Sequence, residues 1–213
     1  MKKVVAFVTI RLNSKRLPGK NLLPLGGHSL AWHICNTLLN CTTIDQSYIY
    51  CSDEQIMDHV PHSPRLLFRQ RDKWLDGDMV TAQDTYGAFT SEVDADIYVA
   101  ALATAPFITA ASIDKGIRAM IDNGHDSAFS AKRLQTFVWY GNKPVNYNPE
   151  LIPRTQDLQP LFMESCGFYA FTRELWQKHH RRIGFNPYVV EVSHREAIDI
   201  DTSEDYEFAK KII

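Results

Sequence analysis

The residues from which the fold can be inferred are KVVAFVTI at positions 3–10, followed at once by RLNSKRLPGKN at positions 11–21. The first run is apolar and β-branched, which is typical of a strand buried on both faces. The second run holds four cations and no acid, and its Pro18-Gly19 pair predicts a turn that brings Lys20 back toward the start of the loop. A buried strand that ends in a basic loop predicts a parallel sheet with an anion-binding edge.

Strand and helix signals alternate along the chain, which predicts a single α/β domain over residues 1–213 with a mostly parallel sheet. The predicted strands are 3–10, 46–51, 66–69, 96–102, 126–131, 167–171 and 188–193. The predicted helices are 29–40, one starting after Ser52-Asp53-Glu54, one from an Asp78 cap to about residue 92, one from a Thr109 cap to about residue 123, 173–180, and a last one capped by Thr202.

The alternation breaks between residues 132 and 164, a stretch rich in proline and aromatic side chains. It is too long for a plain loop inside a compact domain. We therefore predict an inserted, hairpin-like lobe over residues 132–164 with a functional or oligomeric role.

The composition is that of an ordinary globular protein, with 213 residues, 45% apolar side chains and a formal net charge of −2. This balance argues against a protein that coats nucleic acid or an anionic membrane, and the concentrated basic loop favours a small anionic ligand. The four cysteines form no CxxC pair and suit reduced thiols, so we expect a cytoplasmic protein. We also expect no signal peptide and no membrane span.

The basic loop can hold a triphosphate, because arginine offers a fork of donors and lysine a compact charge, while Asn13 and Ser14 add neutral donors. The alternative is a solvated, charged loop. The loop is neither a GxxxxGK[ST] phosphate loop nor a GxGxxG dinucleotide fingerprint.

Asp199 and Asp201 are separated by one residue just before the last predicted helix. In an extended segment both carboxylates point the same way and can share a hard cation. They could equally assist the cap at Thr202. The basic loop at the other end of the chain favours the metal role.

Four further side chains are weaker candidates on the residues alone. Arg71 could be a surface cation, and Asp78 a helix cap. Arg154 could pair bidentately with a carboxylate, but it and Gln156 could equally be ordinary lobe surface.

The loop Arg11-x-x-Ser14-Lys15-Arg16-Leu17-Pro18-Gly19-Lys20-Asn21 resembles the signature loop of the CMP-sialic acid synthetases, the acylneuraminate cytidylyltransferases. The resemblance implies a Rossmann-like, three-layer nucleotidyltransferase domain with an inserted dimerisation lobe. It also implies a loop that grips the phosphates of CTP, a divalent metal (usually Mg²⁺) and a homodimer.

Other segments along the whole chain carry the same resemblance. Arg71-x-x-x-Leu75-x-x-Asp78 resembles a motif that lines the nucleotide pocket, and Thr104-Ala105-Pro106 follows the fourth strand as in the family. Arg154-x-Gln156 resembles a segment that contacts the sugar acid, often from the partner subunit. Gly167-Phe168-Tyr169 parallels a core strand, and Asp199-Ile200-Asp201 resembles the metal-binding pair.

The chain departs from the family pattern at Thr9-Ile10, at Leu102 and at Ser165-Cys166. These departures concern mainly the sugar side. They point to an outlying branch that acts on a sialic-acid-like sugar other than sialic acid itself.

The resulting hypothesis is a cytidylyltransferase that couples CTP to a nonulosonic acid and releases pyrophosphate. The residues expected to bind the triphosphate are Arg11, Asn13, Ser14, Lys15, Lys20 and Asn21. Arg11 and Lys20 are expected to stabilise the charge of the transition state. Asp201 is the third expected catalytic residue, and it is expected to bind Mg²⁺ together with Asp199. The alternatives are a cytidylyltransferase for another sugar acid, of the Kdo or spore-coat polysaccharide type, and a non-catalytic nucleotide-binding protein.

Overall fold

The structure, a computed structural model, describes residues 2–12, 14 and 16–213. The strands are β1 (Val4–Ile10), β2 (Pro24–Leu25), β3 (His28–Ser29), β4 (Gln46–Cys51), β5 (Leu66–Gln70), β6 (Ile97–Ala101), β7 (Ser127–Leu134), β8 (Trp139–Tyr140), β9 (Lys143–Pro144), β10 (Leu161–Thr172) and β11 (Pro187–Glu191). The α-helices are α1 (Leu30–Asn40), α2 (Ala82–Glu92), α3 (Ala110–Asn123), α4 (Arg173–His179) and α5 (Ser203–Lys210).

Within the described residues, seven strands form one sheet in the order β11-β7-β10-β6-β1-β4-β5. Strand β1 is an inner strand, the fifth of the seven, and pairs in parallel with β4 and β6. Only β10 among these strands runs antiparallel to its neighbours, β6 and β7. The predicted mostly parallel sheet is therefore confirmed, and the carboxyl ends of β1, β4 and β6 meet at one edge.

Helices cover both faces of the sheet because alternate residues of β1 point to opposite sides. Val4, Ala6, Val8 and Ile10 belong to the core cluster that includes residues of α1 and α3. Phe7 lies on the other face and stacks on Phe89 of α2 with ring centroids 4.2 Å apart. Burial of one such side chain contributes about 2–3 kcal/mol, so both faces favour the same three-layer α/β fold.

Most predicted helix starts are confirmed, but the Asp78 cap is wrong. Thr109 and Thr202 cap α3 and α5 through their side-chain oxygens, as predicted. Helix α2 starts at Ala82, where Thr81 and Asp84 form a reciprocal capping box. Asp78 lies before this box and does not cap the helix, contrary to what its sequence position suggested. Asp53 does cap a helical segment, but that segment is a 3₁₀ turn over Glu54–His59.

The segment 132–164 begins and ends as an extension of the central sheet. Strand β7 continues to Leu134 and β10 starts at Leu161, with these two residues paired. The predicted strand over 167–171 is thus longer than expected, and its register shifts between Glu164 and Tyr169, where Cys166 has a φ of 56°. The small hairpin β8–β9 lies between the two long strands.

Several large apolar side chains of this lobe are exposed: Trp139, Tyr140, Val145, Leu151, Ile152, Phe162 and Met163. The number of exposed apolar residues in so short a segment is typical of a surface that contacts another protein. A homodimer stays a prediction at this point. Across the part of the chain that the structure describes, none of the helices has the length and apolar character to cross a membrane.

Candidate functional site

The basic loop leaves the carboxyl end of β1 and turns back at Gly19, whose φ of 65° suits glycine. The amide of Lys20 donates to the carbonyl of Leu17 at 3.1 Å, so the predicted turn at Pro18-Gly19 is confirmed. Lys20 then starts a 3₁₀ turn, and only 9% of its surface is exposed. A lysine charge is thus held almost buried beside the sheet edge.

Asp201 is the partner of this buried charge. The Lys20 Nζ lies 2.8 Å from Asp201 Oδ1, and Arg16 Nη1 lies 2.7 Å from Oδ2. Burial by itself raises the pKa of Asp201, but the hydrogen bond and charge of Lys20, together with Arg16, outweigh it and hold the pKa below its ordinary value. The predicted union of the basic loop and the carboxylate pair therefore exists, across 181 residues of sequence.

Asp199 has a different environment although it is only two residues away. Its Oδ1 is buried and has no hydrogen-bond partner among the described residues. Burial raises the pKa of Asp199 and the charge of Asp201 acts in the same direction, while a contact from Thr104 opposes both. The amide of Ile200 donates to the Thr104 carbonyl at 2.8 Å, which ties the segment to the end of β6.

The two carboxylates fit a hard cation. An orphaned buried carboxylate oxygen is costly unless a cation or donor reaches it, and Mg²⁺ prefers oxygen ligands. Over residues 2–12, 14 and 16–213, no group of three or more His, Cys, Asp or Glu side chains surrounds a common point. Asp199 and Asp201 would therefore supply two ligands, and this suits Mg²⁺, which is usually held by one or two carboxylates plus phosphate and water.

Arg11 lies on the opposite side of the loop. Its Nη1 is 3.4 Å from the Gly77 carbonyl and 3.8 Å from Asp78 Oδ1. The side-chain amide of Asn21 donates to the Arg11 carbonyl at 2.9 Å, so Asn21 fixes the backbone from which Arg11 extends. Asp78, a residue predicted to line the pocket, thus stands beside Arg11.

Arg71 is buried, so the interpretation as a surface cation is wrong. Only 3% of its side chain is exposed, and its guanidinium forms an ion pair with Asp76. Its Nε is buried without a hydrogen-bond partner in the described part of the chain. Arg71 is therefore a buried cation that lines the same cavity as Asp78.

Two adjoining cavities lie beside Arg11. One of about 240 Å³ is lined by Thr9, Arg11, Ser14, Arg16, Lys20, Asn21 and Leu102–Thr104. The other, of about 320 Å³, is lined by residues that include Arg71, Asp78, Thr81, Thr85, Tyr86 and Arg182. Both share Thr9, Arg11 and Leu102, so Arg11 stands between a strongly basic cavity and a second one with aromatic and hydroxyl side chains.

Among the described residues, four predicted ones line neither of these two cavities: Asp199, Asp201, Arg154 and Gln156. Asn13 and Lys15 lie outside the described residues. Arg154 is on the exposed lobe and pairs bidentately with Asp157, at 2.7 and 3.0 Å. Gln156 lines a separate cavity of about 390 Å³ that also includes Lys132, Arg133 and His194.

Three residues of the site were missed as candidates. Arg16 is one of the four cations of the basic loop, and its place between Lys15 and Lys20 is a sequence signal for a role in the site. Thr104 stands in the quoted Thr-Ala-Pro segment, directly after a predicted strand. Arg182 has no motif around it, since it reaches the cavity from the loop after α4 only through the fold.

Comparisons with known proteins match this chain to cytidylyltransferases. A family model described as cytidylyltransferase matches residues 5–212. N-acylneuraminate cytidylyltransferase A of Danio rerio is 24% identical over 98% of this chain and 50% of its own length. Pseudaminic acid cytidylyltransferase of Campylobacter jejuni is 25% identical over 98% of this chain and 95% of its own length. The chain thus spans about half the length of the N-acylneuraminate relatives it matches.

Solved structures agree on the fold. A CMP:2-keto-3-deoxy-manno-octonic acid synthetase complexed with CTP superposes with a TM-score of 0.72 at 18% identity, covering 99% of this chain and 98% of the other. The 2-C-methyl-D-erythritol 4-phosphate cytidylyltransferase of Thermus thermophilus superposes with a TM-score of 0.63 at 13% identity, over 100% and 98%. Both likenesses confirm the nucleotidyltransferase fold.

Proposed function

This chain belongs to the cytidylyltransferase family, and from that premise we propose that it couples CTP to a sialic-acid-like nonulosonic acid, giving a CMP-sugar and pyrophosphate. The observation that carries the proposal is the cluster of Lys20, Arg16 and Asp201 beside the orphaned oxygen of Asp199. The basic loop and a carboxylate pair meet there at the carboxyl edge of a parallel sheet, where such sheets bind ligands.

The cations of the loop would bind the triphosphate. Lys20 and Arg16 have phosphate oxygens as alternative partners to Asp201, and Arg11 can turn from the carbonyls near Gly77 toward the α-phosphate. Ser14, Asn21 and the predicted contacts of Asn13 and Lys15 complete the loop. Charge on the transferring group is then stabilised by Arg11 and Lys20, since phosphoryl chemistry depends mainly on positioning and electrostatics.

Asp199 and Asp201 would hold Mg²⁺. When bound, the ion supplies Lewis-acid polarisation of a phosphate oxygen and neutralises developing charge. In this structure, Asp201 is held by Lys20 and Arg16 instead. Binding of the triphosphate to these cations would release Asp201 for the ion, so nucleotide and metal support each other's binding.

The acceptor is proposed to be a nonulosonic acid because two sets of relatives carry such substrates in their names, N-acylneuraminate and pseudaminic acid. A scaffold that only binds nucleotide has no need of the buried carboxylate oxygen of Asp199, which has no partner within the described residues. The four thiols are free and three of them are buried, which supports a cytoplasmic site for the reaction.

Pyrophosphate release tests the proposal. With CTP, Mg²⁺ and a panel of nonulosonic acids, we expect release with at least one sugar acid and a strong preference for CTP over UTP, GTP and ATP. Kdo belongs in the panel as the alternative acceptor. Absence of release with every sugar acid, for a folded protein that binds CTP in a thermal-shift assay, would leave the non-catalytic alternative.

The exposed apolar side chains of the lobe are proposed to form a homodimer interface. Tyr140, Leu151 and Ile152 are among the most exposed large apolar residues of the chain. A second copy would cover them, and it would bring Arg154 and Gln156 of one subunit toward the site of the other. This arrangement would explain why these two side chains line neither cavity of their own chain.

A charge introduced at Leu151 tests this interface. We expect Leu151→Glu to convert a dimer into a monomer, measured by light scattering after size-exclusion chromatography, because an isolated buried charge is strongly unfavourable at an apolar interface. Phe208→Glu, at an exposed apolar residue of α5 outside the lobe, is the matched control and should leave the dimer intact. A wild-type protein that is monomeric at micromolar concentration would contradict the proposal.

A further inference from the structure

Glu196 lies three residues before Asp199 and has no part in the nucleotide chemistry. It belongs to the segment that connects β11 to the two carboxylates of the site. The side chain is half-buried. A carboxylate in such a position is costly unless hydrogen-bond donors or a cation reach it. Its hydrogen-bond partners therefore show which parts of the chain this side chain holds together.

The two oxygens of the Glu196 carboxylate bind different segments. Oε1 accepts from the Thr109 hydroxyl at 2.7 Å, the Thr109 amide at 3.3 Å and the Ser112 hydroxyl at 2.6 Å. Oε2 accepts from the amide and the hydroxyl of Ser193 at 3.1 and 3.0 Å. Burial raises the pKa of Glu196, but these donors outweigh it and hold the pKa below its ordinary value. A charged carboxylate thus joins its own turn to the first turn of α3.

The segments that Glu196 joins lead directly into the site. Thr109 follows Thr104, at the end of β6, by five residues, and the turn with Glu196 runs into Asp199. Beyond Asp199, the amide of Ile200 donates to the Thr104 carbonyl at 2.8 Å. The backbone of Asp199 is therefore fixed against the end of β6 by one tie before it and one after it.

A cation held by Asp199 and Asp201 is sensitive to the position of both, because Mg²⁺ demands near-ideal octahedral geometry at short distances. Two cations of the basic loop hold the side chain of Asp201. Asp199 has a contact from Thr104, but its Oδ1 has no hydrogen-bond partner among the described residues. The position of that oxygen therefore depends on the backbone that Glu196 fixes.

We propose that Glu196 is a positioning residue of the Mg²⁺ site, which holds Asp199 where its Oδ1 can bind the ion. The inference rests on the metal role given to Asp199 and Asp201 in the proposed function. Glu196 is not itself a ligand, since both of its oxygens already accept hydrogen bonds from the turn and from α3.

Glu196→Gln tests the inference through the binding of Mn²⁺, which replaces Mg²⁺ and is measured by EPR. Glutamine presents one acceptor oxygen in place of two, so Thr109 and Ser193 can no longer both be bound. In the presence of CTP, we expect the Kd for Mn²⁺ to rise about tenfold, as for other groups that orient metal ligands. The Kd for CTP in EDTA should stay unchanged, because the basic loop is not altered.

Asp126→Asn is the matched control. Asp126 stands just before β7, at the amino edge of the sheet, and its carboxylate likewise accepts from two amides, those of Phe185 and Asn186 at 2.6 and 3.0 Å. We expect this variant to lower the melting temperature, as Glu196→Gln does, because both lose hydrogen bonds to a buried carboxylate oxygen. The Kd for Mn²⁺ should stay at the wild-type value in the control.

Ser112→Ala removes a single donor from Glu196 and keeps the inference testable if Glu196→Gln does not fold. We expect its Kd for Mn²⁺ to rise about threefold. An unchanged Kd in folded Glu196→Gln, or in Ser112→Ala where the first variant is unfolded, would overturn the inference. An equal rise in Asp126→Asn would do so as well, since the effect would then follow general loss of stability.

Wild-type measurements separate this inference from the proposed function. A wild type that binds Mn²⁺ with CTP but releases no pyrophosphate with any sugar acid contradicts the proposed function alone, and the ratio of Kd values still decides the role of Glu196. A wild type that binds no Mn²⁺ in the presence of CTP overturns the inference, because there is then no ion for Asp199 to hold.

Discussion

Replacement of Lys20 by methionine is expected to lower kcat for pyrophosphate release by about 10³-fold, the loss typical of a preorganised group that stabilises transition-state charge. Methionine keeps the length of the side chain and removes its charge. Lys20 is nearly buried at the edge where β1 ends, so solvent cannot replace the missing cation. The measurement is steady-state turnover with CTP and the best sugar acid at saturating concentrations.

The variant should remain folded, because Asp201 keeps its contact with Arg16 at 2.7 Å. Lys178→Met serves as the matched control, since Lys178 is an exposed residue of α4 that pairs only with Glu174 among the described residues. We expect that control to retain full activity. A folded Lys20→Met protein with kcat within tenfold of wild type would contradict the role assigned to Lys20. A variant that is unfolded at the assay temperature would contradict the expectation that Arg16 alone holds Asp201 in place.

Local sequence signals were sufficient for most strands of the parallel sheet and for the turn of the basic loop. Strand β1 could be predicted because its residues are apolar on both faces, and the turn at Gly19 because Pro-Gly pairs favour one. The spacing of Asp199 and Asp201 by one residue predicts two carboxylates on the same side of an extended segment, and their joint role stays a prediction. Each of these features depends on residues close together in sequence.

Features that depend on tertiary contacts could not be predicted in the same way. Asp78 has the residue type of a helix cap, but Thr81 with Asp84 offers two reciprocal bonds and therefore starts α2. Arg71 is buried through its pairing with Asp76, which a hydrophilic local sequence does not reveal. Arg182 reaches the cavity only because β10 and α4 place its loop there.

The opposite environments of Asp199 and Asp201 lead to the second large effect. In EDTA, Asp199→Asn is expected to raise the free energy of unfolding by about 1 kcal/mol, or the melting temperature by about 2–4 °C, because it removes a charge from a buried oxygen that no described residue satisfies. The same change should lower Mg²⁺-dependent turnover by about 10³-fold, since a ligand of the ion is lost. Stability and activity are thus expected to move in opposite directions.

The pH dependence of this stabilisation has a definite sign. Burial raises the pKa of Asp199, with Asp201 acting in the same direction, so the fold favours the protonated carboxyl and the charged form costs stability. The cost is present above the raised pKa and disappears as the pH falls through it. The advantage of Asp199→Asn over wild type should therefore be greatest near neutral pH and shrink under acid conditions, as measured by calorimetry.

Asp201→Asn is the matched control, with the opposite expectation for stability. Asp201 accepts from Lys20 and Arg16, so its neutralisation leaves the buried charge of Lys20 without its carboxylate partner and should lower the melting temperature in EDTA. Both variants should lose turnover, because both residues are assigned to the ion. Melting temperatures that shift in the same direction would show that the two carboxylates share one environment, and full activity of either variant would remove that residue from the metal site.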